Sequence, residues 1–190
     1  VVKTKFYDFN VKTEDQEAAL VFYNNTYQPN TGIDVTMKDD ESFNVVAALS
    51  GTVTRVDEDA VLGNVIEVEH DKGIVTQYQS VKDIKIKVGD EVKQGQVLAT
   101  AGQSLFNEKA GTHVHFEIRK DGIAVNPTNY FNKSLSTLEE AELSNDKASE
   151  SVETPQMKEK EQMIEDPESA PDQDKNADDN STNSKEKINS

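Results

Sequence analysis

The chain has 190 residues, a formal charge of −16 and neither cysteine nor tryptophan. That balance argues against binding to nucleic acid or to anionic lipid, both of which need clustered Lys and Arg, and the lack of cysteine excludes a disulfide framework. The longest apolar run, at residues 45–49, is far shorter than the ~18 residues of a membrane span and no signal-peptide pattern is present, but the chain opens on Val1 rather than Met, which leaves room for an N-terminal anchor ahead of it.

Taken in order, Lys3-Thr4-Lys5-Phe6-Tyr7-Asp8-Phe9 alternates and reads as a short strand or extended arm. An acidic segment then runs into Ala18-Ala19-Leu20-Val21-Phe22-Tyr23, an element whose type the pattern leaves open. Residues 24–32 read as one long polar turn, and Ile33-Asp34-Val35-Thr36-Met37 as a strand. Alternation sets Asp34 on the face opposite Ile33 and Val35, where an acid needs a partner.

Residues 43–56 give the strongest strand signal, broken at Ser50-Gly51, where glycine permits a bend or bulge. Asn64-Val65-Ile66-Glu67-Val68-Glu69-His70 alternates, Asp71-Lys72-Gly73 turns the chain, and Ile74-Val75-Thr76-Gln77-Tyr78 returns. His70, beside the turn, reads as an exposed residue without a ligand role. Gly89, Gly95 and Gly102 separate short apolar pieces, which suits tight reversals in a compact barrel or sandwich. Residues 105–110 read as a loop.

The stretch Gly111-Thr112-His113-Val114-His115-Phe116-Glu117-Ile118 carries two of the three histidines. In a strand the period of two sends both imidazoles to one face, where they can serve one metal if Asp or Glu joins them from elsewhere. A turn at Lys120-Asp121-Gly122 and Asn126-Pro127 close the domain. The aromatics, five Tyr and seven Phe, all lie at or before Phe131. Residues 136–190 hold 16 Asp and Glu against 6 Lys and Arg, a composition that cannot offset ordering entropy and reads as a disordered spacer, with one short helix expected at 157–164. The resulting layout is an N-terminal arm packing on the domain at 1–26, the domain at 27–135 and the acidic tail at 136–190. Helix content should be low.

Four pieces stand in a fixed order: Asn30-Thr31-Gly32-Ile33-Asp34, Tyr78-Gln79-Ser80-Val81, Val88-Gly89-Asp90-Glu91-Val92-Lys93-Gln94-Gly95-Gln96, and the His-x-His strand. Together with Asn126-Pro127 they resemble the LytM or lysostaphin-like family of zinc endopeptidases, which cut peptide cross-links in bacterial peptidoglycan. The resemblance covers residues 27–131. It implies a mainly β, antiparallel LytM/lysostaphin-like fold, a duplicated-hybrid-type sheet lining a groove with zinc on its floor.

The sequence departs from the family where the chemistry lies. Asp34 and His115 match two zinc ligands, but Asn30 stands where the family has its first ligand histidine. His113 matches one catalytic histidine, and Ser80 stands in place of the other. A neutral carboxamide is a weaker zinc donor than imidazole. A serine hydroxyl can neither accept a proton near neutral pH nor carry positive charge to a tetrahedral oxyanion, a loss of about 10²–10³ in rate by itself. The expectation is a pseudoenzyme without a cofactor, in which His113, Asp34 and His115 are vestigial. The alternatives are a peptidoglycan-binding domain and a weakly active zinc enzyme.

With the acidic tail, these two substitutions are similar to the membrane-anchored, sporulation-specific LytM-like proteins of endospore-forming bacteria. That likeness implies an N-terminal membrane helix ahead of this chain and a domain lying between the forespore and mother-cell membranes. It further implies docking to stage III sporulation protein AH as part of a channel with a ring-like higher order, and no nucleic-acid partner. The residues that would meet the partner are not indicated.

Overall fold

The computed structural model describes residues 1–140, so the expected helix at 157–164 and the tail beyond residue 140 lie outside the described residues. The chain begins with β1 (Val2–Thr4), α1 (Thr13–Ala18), β2 (Leu20–Tyr23), β3 (Thr26–Pro29) and β4 (Ile33–Thr36). It continues through β5 (Asn44–Val46), β6 (Gly51–Asp59), β7 (Gly63–Glu69) and β8 (Ile74–Lys82). Then follow β9 (Glu91–Val92), β10 (Val97–Ala101), β11 (His113–Lys120), β12 (Ile123–Val125) and the short α2 (Leu135–Glu139).

One sheet runs β1-β4-β11-β8-β7-β6-β9, with β12 beside β11 and β10 bridging β8 to β5. Its strand pairs are antiparallel, and β2 and β3 form a separate hairpin. Alternation divides the large sheet into two chemically different faces. One carries Ile33, Val114, Phe116, Ile118, Tyr78, Ile74, Ile66, Val68 and Val53, which pack with Leu98, Ala99 and Leu138 as the core. Each large aliphatic side chain buried there contributes about 1.5–3 kcal/mol. The opposite face carries Asp34 on β4, His113, His115 and Glu117 on β11, Gln77 and Gln79 on β8, Glu67 on β7 and Arg55 on β6, placed in line by the strand registers. This polar face is the floor on which the candidate site is built.

Three local readings of the sequence differ from the structure. The stretch expected as a long polar turn instead closes in two residues. Asn24 and Asn25 take φ of 48° and 59°, the left-handed pair that a two-residue hairpin turn demands, and Thr26–Pro29 then pairs back on Leu20–Tyr23 as β3. Residues 105–110 are not wholly irregular, since Glu108–Ala110 forms a single 3₁₀ turn. His70 is buried rather than exposed. It continues the parity of Ile66 and Val68, so the strand aims it at the core side, and proximity to a turn does not undo that.

There its Nδ1 lies 2.8 Å from the Ser50 carbonyl oxygen and its Nε2 2.9 Å from Thr76 Oγ1. Thr76 Oγ1 lies 3.2 Å from the Tyr78 hydroxyl, which accepts the Ala48 N–H at 2.8 Å. The neutral ring fits this chain, donating from Nδ1 to the carbonyl and accepting at Nε2. Burial pushes the His70 imidazole below its ordinary value. The unfolded chain therefore binds this proton more readily, so the stabilisation is complete above about pH 6.5 and is lost as the pH falls. We expect His70→Gln to cost about 1–3 kcal/mol at pH 7.5 and the gap to wild type to narrow at pH 5.5. Urea unfolding at the two pH values measures this, and a gap that widens in acid would show that the ring is charged in the folded state.

Candidate functional site

The site forms where β4 meets β11, with His115 opposite Asp34 in register. His115 Nδ1 lies 2.7 Å from Asp34 Oδ1, and its Nε2 lies 3.1 Å from Glu117 Oε1. Both nitrogens thus face carboxylate oxygens, which only accept, so both donate and the ring is an imidazolium. Burial alone would depress its pKa, but the hydrogen bonds to Asp34 and Glu117 and their charges outweigh burial and raise it to about 9. Burial likewise pushes both carboxyls up, and the bond to His115 together with its charge overrides this and holds each below the usual carboxylate value.

The remaining oxygens are also engaged. Asn107 Nδ2 donates to Asp34 Oδ2 at 2.7 Å, Arg119 Nε donates to Glu117 Oε2 at 2.7 Å, and the Thr31 hydroxyl donates to Glu117 Oε1. Gly32 makes this packing possible. A Cβ there would stand 2.3 Å from the Phe116 carbonyl oxygen and 3.0 Å from the His115 ring, so a side chain would push β4 away from the cluster.

His113 lies on the same face, also buried. Its Nδ1 is 2.8 Å from the Gly111 carbonyl oxygen, to which it donates, and its Nε2 is 3.0 Å from the Ser80 hydroxyl. Strict alternation would turn Ser80 toward the core beside Tyr78. An irregularity in β8 opposite β7, with Ser80 at φ 62°, re-aims it onto the polar face. Asn30 is buried next to the cluster, donating from Nδ2 to the carbonyl oxygens of Lys5 and Gly32, each at 3.1 Å. Its Oδ1 is buried without a partner.

The five positions singled out in the sequence thus converge on one face, but as two separate units, Asp34–His115 and Ser80–His113, with Asn30 turned to the backbone. The reading missed Glu117, Arg119, Asn107 and Thr31. Glu117 was within reach, because it extends the His113, His115 period by one more step of two. Asn107 and Thr31 come from loops that carry no period.

A zinc ion of the kind the resemblance implies finds no fitting donor set here. The two carboxylates bind opposite nitrogens of one imidazole and cannot meet at a common point with it, and the uncommitted Oδ1 of Asn30 is a neutral oxygen, a weaker zinc donor than the imidazole it stands in for. Among the described residues no three His, Cys, Asp or Glu side chains group in a way that could hold a metal.

The sign of each titration predicts a stability maximum near neutral pH. The contribution of His115 is complete below about pH 6.5 and is lost as the pH rises through about 9. The contributions of Asp34 and Glu117 are present above their ordinary values of 3.8 and 4.5 and fade as the pH falls below those values. His115→Gln should cost roughly 3–5 kcal/mol at pH 7 by leaving two buried carboxylates uncompensated, and should abolish the alkaline arm. Thermal melts of both proteins from pH 5 to 10, with NMR titration of the His115 ring, measure it; a ring titrating near its ordinary value would mean that the clamp is not formed.

Residues 28–127 match the family model described as peptidase family M23. The chain is 52% identical over 141 residues to stage II sporulation protein Q of Bacillus subtilis (strain 168), an alignment that covers 74% of this chain and 50% of that protein, so the chain spans about half of that relative's length. A solved structure of the SpoIIQ–SpoIIIAH pore-forming complex is similar with a TM-score of 0.74 at 50% identity, covering 75% of this chain and 90% of the matched one. A crystal structure of a SpoIIIAH and SpoIIQ complex gives 0.67 at 52% identity, over 68% of this chain and 91% of the other. With the matched segment running from the end of β3 to the close of the sheet, over more than half of the sequence, the chain belongs to peptidase family M23.

Proposed function

We propose that this chain is a disarmed M23 domain, without a zinc cofactor or hydrolytic activity, that works as a protein-docking module in sporulation. Its partner in this reading is stage III sporulation protein AH. The domain faces the space between the forespore and mother-cell membranes, and the pair contributes to a channel joining the two cells.

The observation that carries the reading is the state of His115. Both of its nitrogens are spent on carboxylates, 2.7 Å to Asp34 and 3.1 Å to Glu117, so the ring holds a proton where a zinc ligand needs a free lone pair. Without a bound metal, a water in the groove keeps its high pKa and supplies no hydroxide at neutral pH. Ser80 offers His113 a hydroxyl and no second base. Support for docking comes from the likeness to two structures of SpoIIQ–SpoIIIAH complexes, each at half identity or better.

The test has two arms. In the first, zinc is titrated by calorimetry into the natural chain and into Asn30→His, Ser80→His, with turnover of cross-linked peptidoglycan followed in each. The natural chain should bind no zinc and release no product. Zinc-dependent turnover that His113→Ala abolishes would sink the pseudoenzyme reading. In the second arm the soluble domain of stage III sporulation protein AH is titrated into the natural chain; saturable binding is expected, and its absence would overturn the docking role.

A further inference from the structure

Residues 47–50 carry the chain from β5 to β6 around a corner that belongs to neither strand. The buried His70 side chain holds that corner against the sheet. Its Nδ1 lies 2.8 Å from the Ser50 carbonyl oxygen, and Gly51 sits so close that a Cβ there would stand 2.6 Å from the same nitrogen. Through Thr76 the ring also reaches the Tyr78 hydroxyl, which accepts the Ala48 N–H at 2.8 Å. The corner is thus fastened at two points to one buried polar chain.

The corner holds a second segment in turn. Ser50 Oγ accepts the Gln94 N–H at 3.0 Å, and Gln94 Nε2 donates to the Ala48 carbonyl oxygen at 2.9 Å. Gly95 N–H donates to the Ala47 carbonyl oxygen at 2.8 Å, and Ala47 N–H to that of Gln96 at 2.9 Å. Ser50 and residues 93–96 are exposed, and Ala47 is the one fully buried side chain among residues 47–50 and 93–96. A unit with so little apolar burial, held mainly by hydrogen bonds, can open by itself while the core stays packed.

The charge state of the ring decides how firmly it is held. Both ring nitrogens face uncharged oxygens, a carbonyl and a hydroxyl. The charges that act on the ring come from Asp71 and Glu69, whose side chains are exposed, and burial outweighs them. From β8 the ring meets Thr76 and Tyr78, and burial pushes the Tyr78 phenol up, so it stays protonated. A second proton on the ring therefore puts a charge in a buried site with no carboxylate in contact. Opening the corner admits water, in which an imidazole charges below about pH 6.5. The open form binds the proton more readily, so acid favours opening.

We propose that His70 is a pH-sensitive latch, whose neutral ring keeps the corner at 47–50 and the turn at 93–96 closed and whose protonation in acid releases both while the rest of the domain stays folded. The unit contains no residue of the His113–His115 face, so the device is independent of the docking role proposed above.

Amide exchange of the full chain at pH 7.5 and 5.5, each rate divided by that of an unstructured peptide, is compared for wild type and His70→Gln. Glutamine can still donate to Ser50 and accept from Thr76 but cannot gain a proton. In wild type the amides of Ala47, Ala48, Gln94 and Gly95 should be about fivefold less protected at pH 5.5, and in His70→Gln equally protected at both. Amides at 113–118 should not follow, because His115, charged in the folded state, opposes whole-domain unfolding more strongly as the pH falls over this range. A loss of protection that 113–118 share equally, that persists in the variant, or that is absent from wild type overturns the latch. If the variant does not fold, NMR titration of the wild-type His70 ring takes its place. A ring neutral at pH 7.5 together with the local loss upholds the latch, and a ring already charged there overturns it.

Discussion

The polar face of the sheet depends on one buried cation held between two buried anions. Taking a carboxylate or an imidazolium out of water costs several kcal/mol each, and only close geometry with every remaining donor and acceptor engaged offsets that cost. The cluster meets the condition. Asp34 and Glu117 flank the His115 ring, Asn107 takes the second oxygen of Asp34, Thr31 shares the Glu117 oxygen that faces His115, and Arg119 adds a second cation on the other Glu117 oxygen. Because Asp34 belongs to β4 and the other charges to β11, the cluster also locks the register of that strand pair. A slip of one residue would send Asp34 to the apolar face and Ile33 to the polar one.

In the proposed reading Asn30 and Ser80 are departures from the family pattern, and each makes structural contacts of its own. Asn30 uses its amide nitrogen to tie Lys5, in the arm, to Gly32, at the start of the sheet. The arrangement leaves Oδ1 buried without a partner, a cost of about 1–3 kcal/mol. Rotating the amide would set that oxygen against two carbonyls, which is worse. Ser80 is short enough to sit in the β8 irregularity and still reach His113. In that reading each replacement exchanges a group suited to metal or proton chemistry for one that staples neighbouring segments. The residues of this floor also hold it together.

How much of this could be read beforehand follows from period and range. The strand at 113–118, the shared face of its histidines and the need of Asp34 for a partner come directly from the period of two, and the structure supplies that partner as His115. Glu117 obeys the same period, and attention to the histidines alone let it pass. His70 was misread because a nearby turn was weighted above the parity it shares with Ile66 and Val68. Asn24 and Asn25 were taken for loop filler although paired asparagines are among the few residues that tolerate φ above zero at both turn positions. Asn107 and Thr31 have no local signature at all; they reach the site from loops, and only the fold puts them there.

One cross-strand row joins the buried cluster to β6. Glu117 on β11 is in register with Gln77 on β8, Gln77 with Glu67 on β7, and Glu67 with Arg55 on β6. Gln77 and Arg55 both donate to Glu67 Oε1, and Arg55 donates in turn to Asp57 on the edge strand itself. Side chains fixed in this way have little rotamer freedom left to lose when a partner arrives, and less ordering on association leaves more of the contact energy as affinity. On the reading proposed above, in which the polar face holds no metal, that face still matters for recognition. It stiffens the sheet from its centre outward to β6.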